Sequence, residues 1–213
     1  MSSTTPARFG VPVPVKPPAV AKSRLSSLGD HAREELVVAF ASDTVAAALA
    51  SPLVGAVLVV TDDHVLARTL AGPGVAVLPD GAVDDLNATL VQAAAELHRR
   101  WPDLHLVALT ADLPALRPDE LTRVLAAAPE APSFVPDAER EGTTALLAPD
   151  PTSFRPRFGP GSRKAHLDDG CLEIDRSDVP GLRRDVDEPD DLAAALRLGV
   201  GPRTRGVVDA RRL

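Results

Sequence analysis

The sequence predicts an α/β fold of three layers, a mostly parallel sheet with helices on both faces, and three observations carry it. Short runs of Val, Leu and Ala alternate with longer helix-period segments from Phe9 to Ala128, the order that a helix-covered parallel sheet requires. Val54–Val60 and Leu104–Leu109 are apolar at nearly every position, as strands covered on both sides are. The 21 prolines in 213 residues fall mostly between periodic segments, so they stiffen loops and do not signal disorder.

Taken in order, Phe9–Val15 reads as a strand made irregular by Pro12 and Pro14, since proline cannot donate to a ladder. Lys16–Gly29 is a loop, and Asp30 is the expected N-cap of a helix whose apolar face is Leu36, Phe40, Ala47 and Ala48. Ser51-Pro52 stops it. Val54–Val60 is the second strand, Asp62-Asp63 starts a helix to about Ala71, and Val75–Leu78 is the third strand. Asp84–Arg100 is an amphipathic helix with Leu86, Leu90, Ala93, Leu97 and Trp101 on one side. Leu104–Leu109 is the fourth strand and Pro118–Ala128 a further helix. The later part is richer in strands: Ser133–Val135, Thr143–Ala148, Leu172–Ile174 and Leu182–Val186, with a short helix at Ser162–Asp168 and a closing one at Glu188–Leu198. One domain over residues 9–205 is expected, with flexible termini at 1–8 and 206–213.

Composition excludes several function classes. A net charge of −7 is the wrong sign for a general nucleic-acid binder. Cys171 is the single cysteine, which rules out an internal disulfide and a cysteine metal cluster. The five histidines lack metalloprotease spacing and read as surface or packing residues. No stretch reaches the roughly 20 apolar residues of a membrane span, and Met1–Pro6 lacks the start of a signal peptide, so the cytoplasm is the expected location. Oligomeric state is not fixed by the sequence, and a homodimer is compatible with it.

The chemistry lies in two acidic turns. Asp112 follows the fourth strand, and Asp185 and Asp187 form a D-x-D pair before the closing helix. Ligands of open α/β sheets bind where strands end. Carboxylates converging there can share a hard cation such as Mg²⁺ with a substrate's phosphates. The plain alternative is that Asp112 ends a strand and that Asp187 or Glu188 caps a helix. Two unneutralised carboxylates about 4 Å apart repel by roughly 4 kcal/mol at an effective dielectric near 20, a cost that makes sense if a cation sits between them.

A basic loop follows the first strand. Lys16, Lys22 and Arg24 could receive a triphosphate, although the P-loop spacing is absent. Asn87, at the start of the amphipathic helix, could read a base or sugar edge or could cap the helix. Gly159–Ser162 precedes a helix, and its N–H groups with the Ser162 hydroxyl could seat an anion. No nucleophile elbow is present. Metal-assisted phosphoryl or nucleotidyl transfer is the chemistry indicated.

Six segments then occur in order: Pro14–Leu25 (PVKPPAVAKSRL), Asp85–Ala88 (DLNA), Ala111–Leu116 (ADLPAL), Gly142–Leu146 (GTTAL), Arg157–Ser162 (RFGPGS) and Asp185–Leu192 (DVDEPDDL). Together they resemble the 2-phospho-L-lactate/phosphoenolpyruvate guanylyltransferases of coenzyme F-420 biosynthesis, over residues 11–205. The Pro- and Ala-rich character is similar to the actinobacterial branch, whose acceptor is phosphoenolpyruvate. The resemblance implies a GT-A-like, nucleotide-diphospho-sugar-transferase type of fold. It implies GTP and phosphoenolpyruvate (or 2-phospho-L-lactate) as substrates, with Mg²⁺ at Asp112, Asp185 and Asp187. The acceptor would sit at Thr144, Gly159 and Ser162, and the nucleotide at Lys16, Lys22, Arg24 and Asn87. Asp112, Asp185 and Lys22 are the expected catalytic groups. Ala111 stands where this family commonly has Gly, and Pro18 where it often has Leu. Another nucleotidyltransferase of the same fold, or a silent nucleotide-binding module, are the competing readings.

Overall fold

In the computed structural model, residues 8–19, 21–82 and 85–213 are described. Seven strands are joined by eight helices among them: β1 (Phe9–Pro14), α1 (Asp30–Leu49), β2 (Val54–Val60), α2 (His64–Leu70), β3 (Val75–Leu78), α3 (Leu86–Arg100), β4 (His105–Leu109) and α4 (Pro118–Ala126) make the first part. The second part holds β5 (Ser133–Pro136), β6 (Thr143–Ala148), α5 (Ser162–Asp168), β7 (Leu172–Glu173), α6 (Pro180–Arg183), α7 (Pro189–Leu198) and α8 (Pro202–Arg211).

The strands form one sheet in the order β3-β2-β1-β4-β6-β5-β7. β1 runs parallel to β2 and to β4, and β2 parallel to β3, whereas β6 is antiparallel to both β4 and β5. The expected three-layer, mostly parallel sheet is therefore present, with β6 the reversed strand. Alternation explains the unbroken apolar runs. Val57, Val59, Val107, Leu109, Ala145 and Leu147 enter the core under α1 and α4. Ala56, Leu58, Val60, Leu106, Ala108, Leu146 and Ala148 enter the core under α3. Each fully buried side chain of this size adds about 1.5–3 kcal/mol, so a polar residue on either face of β2 or β4 is costly. Chain order reverses between β1 and β4, the switch point at which a doubly wound sheet opens a crevice at its carboxyl edge.

Several boundaries differ from the sequence reading. Gly29, not Asp30, is the N-cap of α1, and Asp30 is the first helical residue. Asp84 lies outside the described residues, and Asp85 caps α3 by accepting from Asn87 N and Ala88 N at 3.0 Å. Leu182–Val186 is not a strand. Pro180 opens the single turn of α6, and the Glu120 carboxylate from α4 caps it by accepting from Gly181 N and Leu182 N. Of residues 1–8, expected as a flexible terminus, 1–7 lie outside the described residues, whereas Arg8 is held by backbone bonds from its N to Leu53 O and from His105 N to its O, both at 2.8 Å. Residues 206–213, expected to be flexible, belong largely to α8. The Asp43 carboxylate on α1 accepts from Arg203 N (3.1 Å) and Thr204 N (2.8 Å) at its start. The approach is so close that a Cβ on Gly201 would stand 2.3 Å from Asp43 Cγ.

Candidate active site at the β1 and β4 edge

The basic loop begins where β1 ends. Val15 N still bonds Val60 O at 2.9 Å, and in the loop that follows Ala21 N bonds back to Pro17 O at 3.1 Å. Arg33, on the first turn of α1 and only 6% exposed, holds this loop by donating to Pro18 O (2.8 Å), Ala19 O (3.3 Å) and Ala21 O (2.6 Å). The turn leaves Lys22 in the left-handed region, at φ 54°. A 3-10 segment, Ser23–Leu28, follows and is anchored by the buried Leu25.

The Asp112 turn is fixed by α1 and by β6. The Thr44 hydroxyl of α1, fully buried, donates to Ala111 O (3.3 Å) and accepts from Leu113 N (3.1 Å), one residue on each side of Asp112. Thr110 N bonds Thr144 O at 3.0 Å, which sets the start of β6 beside the end of β4. Val186 N donates to Asp112 O at 3.1 Å. This backbone bond joins the two acidic turns, whose aspartates are 73 positions apart at the nearest (185 − 112).

Lys22 closes the arrangement. Its ammonium binds Asp112 Oδ2 and, at 2.5 Å, Asp187 Oδ1. Burial pulls its pKa down, but the two carboxylates outweigh that and hold it above the ordinary lysine value. Burial and then the Asp112 carboxylate push Asp185 up to about 8, against the pull of Lys22. Lys22, Asp112 and Asp187 border a cavity of about 420 Å³ that Lys16, Arg24, Leu86 and Thr110 also line.

The atoms left without partners at this edge are of the kind a hard cation takes. Among the described residues, Asp112 Oδ1 is buried with no hydrogen-bond partner, as are the hydroxyls of Thr110 and Thr144. Unpartnered buried polar atoms are rare and call for an explanation. Three of them at one strand edge, all oxygens, match the donor chemistry of Mg²⁺ or Mn²⁺. Among the described residues, the acidic oxygens that lie within 4.8 Å of one another are those of Asp137, Glu139 and Asp185, so the expected set Asp112, Asp185 and Asp187 does not come together as one such group; Lys22 bridges Asp112 and Asp187 instead.

The residues expected to seat the acceptor lie on the adjoining element. Thr144 is fully buried at the start of β6 and Ser162 is 2% exposed at the start of α5. Gly159 and Gly161 carry φ of 132° and 70°; the left-handed value at Gly161 favours glycine. Asn87 does not cap α3, because Asp85 does. Its amide instead pairs with a backbone: Asn87 Nδ2 donates to Phe158 O (3.0 Å) and Oδ1 accepts from Phe158 N (2.8 Å). His166, fully buried, accepts from Arg157 N at Nε2 (3.0 Å) and places Nδ1 2.9 Å from the Thr143 hydroxyl. An acceptor Nε2 leaves the proton on Nδ1, the neutral form, and burial depresses its pKa to about 4.

Of the expected site residues, Lys16, Lys22, Arg24, Asp112 and Asp187 share one cavity, and Asp185 is tied to it through Val186. Thr144, Asn87, Gly159 and Ser162 do not line that cavity, although Thr144 O accepts from Thr110 N at its border. Sequence reasoning did not single out Arg33, Thr44, Thr110, Glu139 or His166. Their partners lie beyond any local motif, 9 to 15 positions away for Arg33 and for the His166–Arg157 bond and 67 to 69 for Thr44, and only the position of Thr110 at a strand end signalled anything.

Comparison with known proteins agrees with this geometry. The family described as "Guanylyl transferase CofC like" matches residues 10–208. A phosphoenolpyruvate guanylyltransferase of Streptomyces scabiei is 52% identical over 198 residues, covering 90% of this chain and 92% of its own. One from Thermomonospora curvata is 48% identical, over 90% of this chain and 85% of its own. Among solved structures, a nucleotidyl transferase from Methanothermobacter thermautotroptrophicus superposes with a TM-score of 0.63 at 19% identity, over 90% of this chain and 97% of that one. A Mycobacterium tuberculosis protein in complex with manganese gives 0.56 at 19% identity, over 91% and 100%. With matched sequence from Gly10 to Val208 and nucleotidyltransferase architecture throughout, this chain belongs to the CofC-like guanylyl transferase family.

Proposed function

We propose that this protein transfers GMP from GTP to phosphoenolpyruvate, giving enolpyruvoyl-2-diphospho-5'-guanosine and pyrophosphate, a step of coenzyme F-420 biosynthesis in the cytoplasm. Family membership supports guanylyl transfer, and relatives near 50% identity carry the phosphoenolpyruvate name. The observation that carries the reading is the Lys22 ammonium held between Asp112 and Asp187 in a cavity that Lys16 and Arg24 also line. Such a site neutralises polyphosphate on one side and offers carboxylate oxygens on the other.

The acceptor's phosphate oxygen attacks the α-phosphorus of GTP. A new P–O bond forms, the α–β anhydride bond breaks, and pyrophosphate leaves with the electron pair. The attacking phosphate is already ionised near neutral pH, so no general base is needed. Approach of two polyanions is the barrier to be lowered, and positioning with charge neutralisation lowers it. Lys16, Lys22 and Arg24 receive the triphosphate, while Thr144, Gly159 and Ser162 hold the acid. Asp112, Asp185 and Asp187 would hold Mg²⁺, whose charge lowers the cost of the crowded phosphate oxygens.

The test is a matrix of four nucleoside triphosphates against phosphoenolpyruvate and 2-phospho-L-lactate, read as pyrophosphate release with Mg²⁺. GTP with phosphoenolpyruvate is expected to exceed every other pair by at least about tenfold. A preference for 2-phospho-L-lactate would move the acceptor assignment, and no release from any pair would leave only a nucleotide-binding module.

A further inference from the structure

We propose that Asn87 is a positioning residue for the acceptor acid: its amide clamps the Arg157–Gly159 segment in place, and it does not read the nucleotide base. The inference deepens the reading given above and rests on it for the identity of the acceptor turn. Asn87 uses both ends of its amide on one residue, donating to Phe158 O at 3.0 Å and accepting from Phe158 N at 2.8 Å. A side-chain amide paired in this way imitates a neighbouring β-strand, and it leaves one amide N–H free. Arg157 N is taken by His166 Nε2 at 3.0 Å. Two successive N–H groups are thus held by side chains from two helices, α3 and α5.

The rings complete the clamp. His166 stacks on Phe134 with centroids 5.4 Å apart and meets Phe158 edge-on at 5.6 Å. Phe158 is 8% exposed and packs in the core under α3. The next residue in the chain is Gly159, the first of the acceptor turn. Leu86, the neighbour of Asn87, lines the cavity that holds Lys22 and Asp112. One turn of α3 therefore borders the nucleotide cavity with one residue and anchors the acceptor turn with the next. That adjacency sets the relative position of the two phosphates that must react, and misplacement by about 1 Å is enough to cost a large part of the rate.

Asn87→Ala removes both bonds, and Asn87→Asp keeps only the acceptor toward Phe158 N. In the full-length enzyme, assayed by pyrophosphate release, Asn87→Ala is expected to raise the KM for phosphoenolpyruvate by roughly tenfold, the scale of one or two net hydrogen bonds. The KM for GTP should stay within about twofold, and Asn87→Asp should fall between wild type and the alanine variant. A rise confined to the GTP KM would overturn the proposal and return Asn87 to the nucleotide. Independently of substrate, trypsin should cut after Arg157 faster in both variants than in wild type. Equal cutting in variants that retain the wild-type melting temperature would also overturn it. Because that digestion needs no acceptor, a wild-type enzyme that ignores phosphoenolpyruvate would refute the proposed substrate while leaving the clamp separately testable.

Discussion

Lys22 meets two opposed demands: it is mostly removed from water, at 14% side-chain exposure, and it answers two carboxylates. A buried ammonium is tolerated only when paired, and here the pairing also keeps Asp112 and Asp187 from repelling each other. Replacing Lys22 with Ala should lower kcat/KM for GTP by roughly 10²-fold, the scale of one lost electrostatic stabiliser, with the acceptor KM unchanged. A matched loss for both substrates would place Lys22 outside the nucleotide half of the site. Thr44 works one step further back. Its hydroxyl is the partner that α1 offers to Leu113 N, so Thr44→Val should cost about 1–3 kcal/mol by stranding a buried N–H. Urea titration measures that loss, and activity measured against Mg²⁺ concentration should show a raised requirement in Thr44→Val but not in Thr44→Ser. An unchanged requirement in the valine variant would mean that the Asp112 turn keeps its shape without this clip.

At the scale of elements, two helices, α6 and α8, are capped from a distance. Glu120 on α4 caps α6, and its carboxyl is pushed upward chiefly by burial, against the two N–H groups it accepts from. Asp43 on α1 caps α8, and Gly201 N additionally bonds Pro114 O at 2.8 Å, two residues past Asp112. The last helix is thereby fastened to the turn that carries a site carboxylate. Asp43→Ala should cost about 1–2 kcal/mol, as loss of a side-chain cap does, and amide exchange should quicken in α8 before it does in β1 or β2. Uniform exchange across the chain would show that α8 does not open separately. Here lies the reason that α8 escaped the sequence reading. Pro202 marks a helix start, but Thr204 and Val208 are its buried residues, too few to make a visible stripe, and the cap comes from 160 positions away. The strand expected at Leu182–Val186 failed for the same reason, since apolar residues alone did not reveal Glu120 waiting on another helix. By contrast β2, β4 and α3 were legible from their own residues, because burial on two faces or on one stripe is written locally.

For the whole molecule, the sheet edge at the β1–β4 reversal gathers Lys16, Lys22, Arg24, Asp112 and Asp187 of the expected residues around one cavity. Their identity was readable as residue types at strand ends; the pairing of Lys22 with two aspartates was not, since no local pattern encodes a contact across 90 or 165 positions. Stability should respond to acid through His166. Its folded pKa, about 4, lies below the ordinary 6.5, chiefly through burial. The neutral ring is the one the fold accepts, so its contribution is complete above pH 6.5 and is lost as pH falls toward 4. The limit is roughly 3 kcal/mol, at about 1.4 kcal/mol per pKa unit. Urea midpoints measured from pH 7 to pH 4 should fall more steeply in wild type than in His166→Gln. Parallel slopes would assign the acid sensitivity to other groups.

The bond from Val186 N to Asp112 O has a consequence for how this site can be studied by mutation. It is made by main-chain atoms, so every residue except proline supplies it. An alanine scan would score Val186 as one more buried aliphatic side chain and would report only the methyl groups removed. The stitch between the two acidic turns would survive the scan untouched and unnoticed. Comparing Val186→Ala with Val186→Pro, or replacing the amide at that position by an ester, separates the packing of the side chain from the thread that ties the site together.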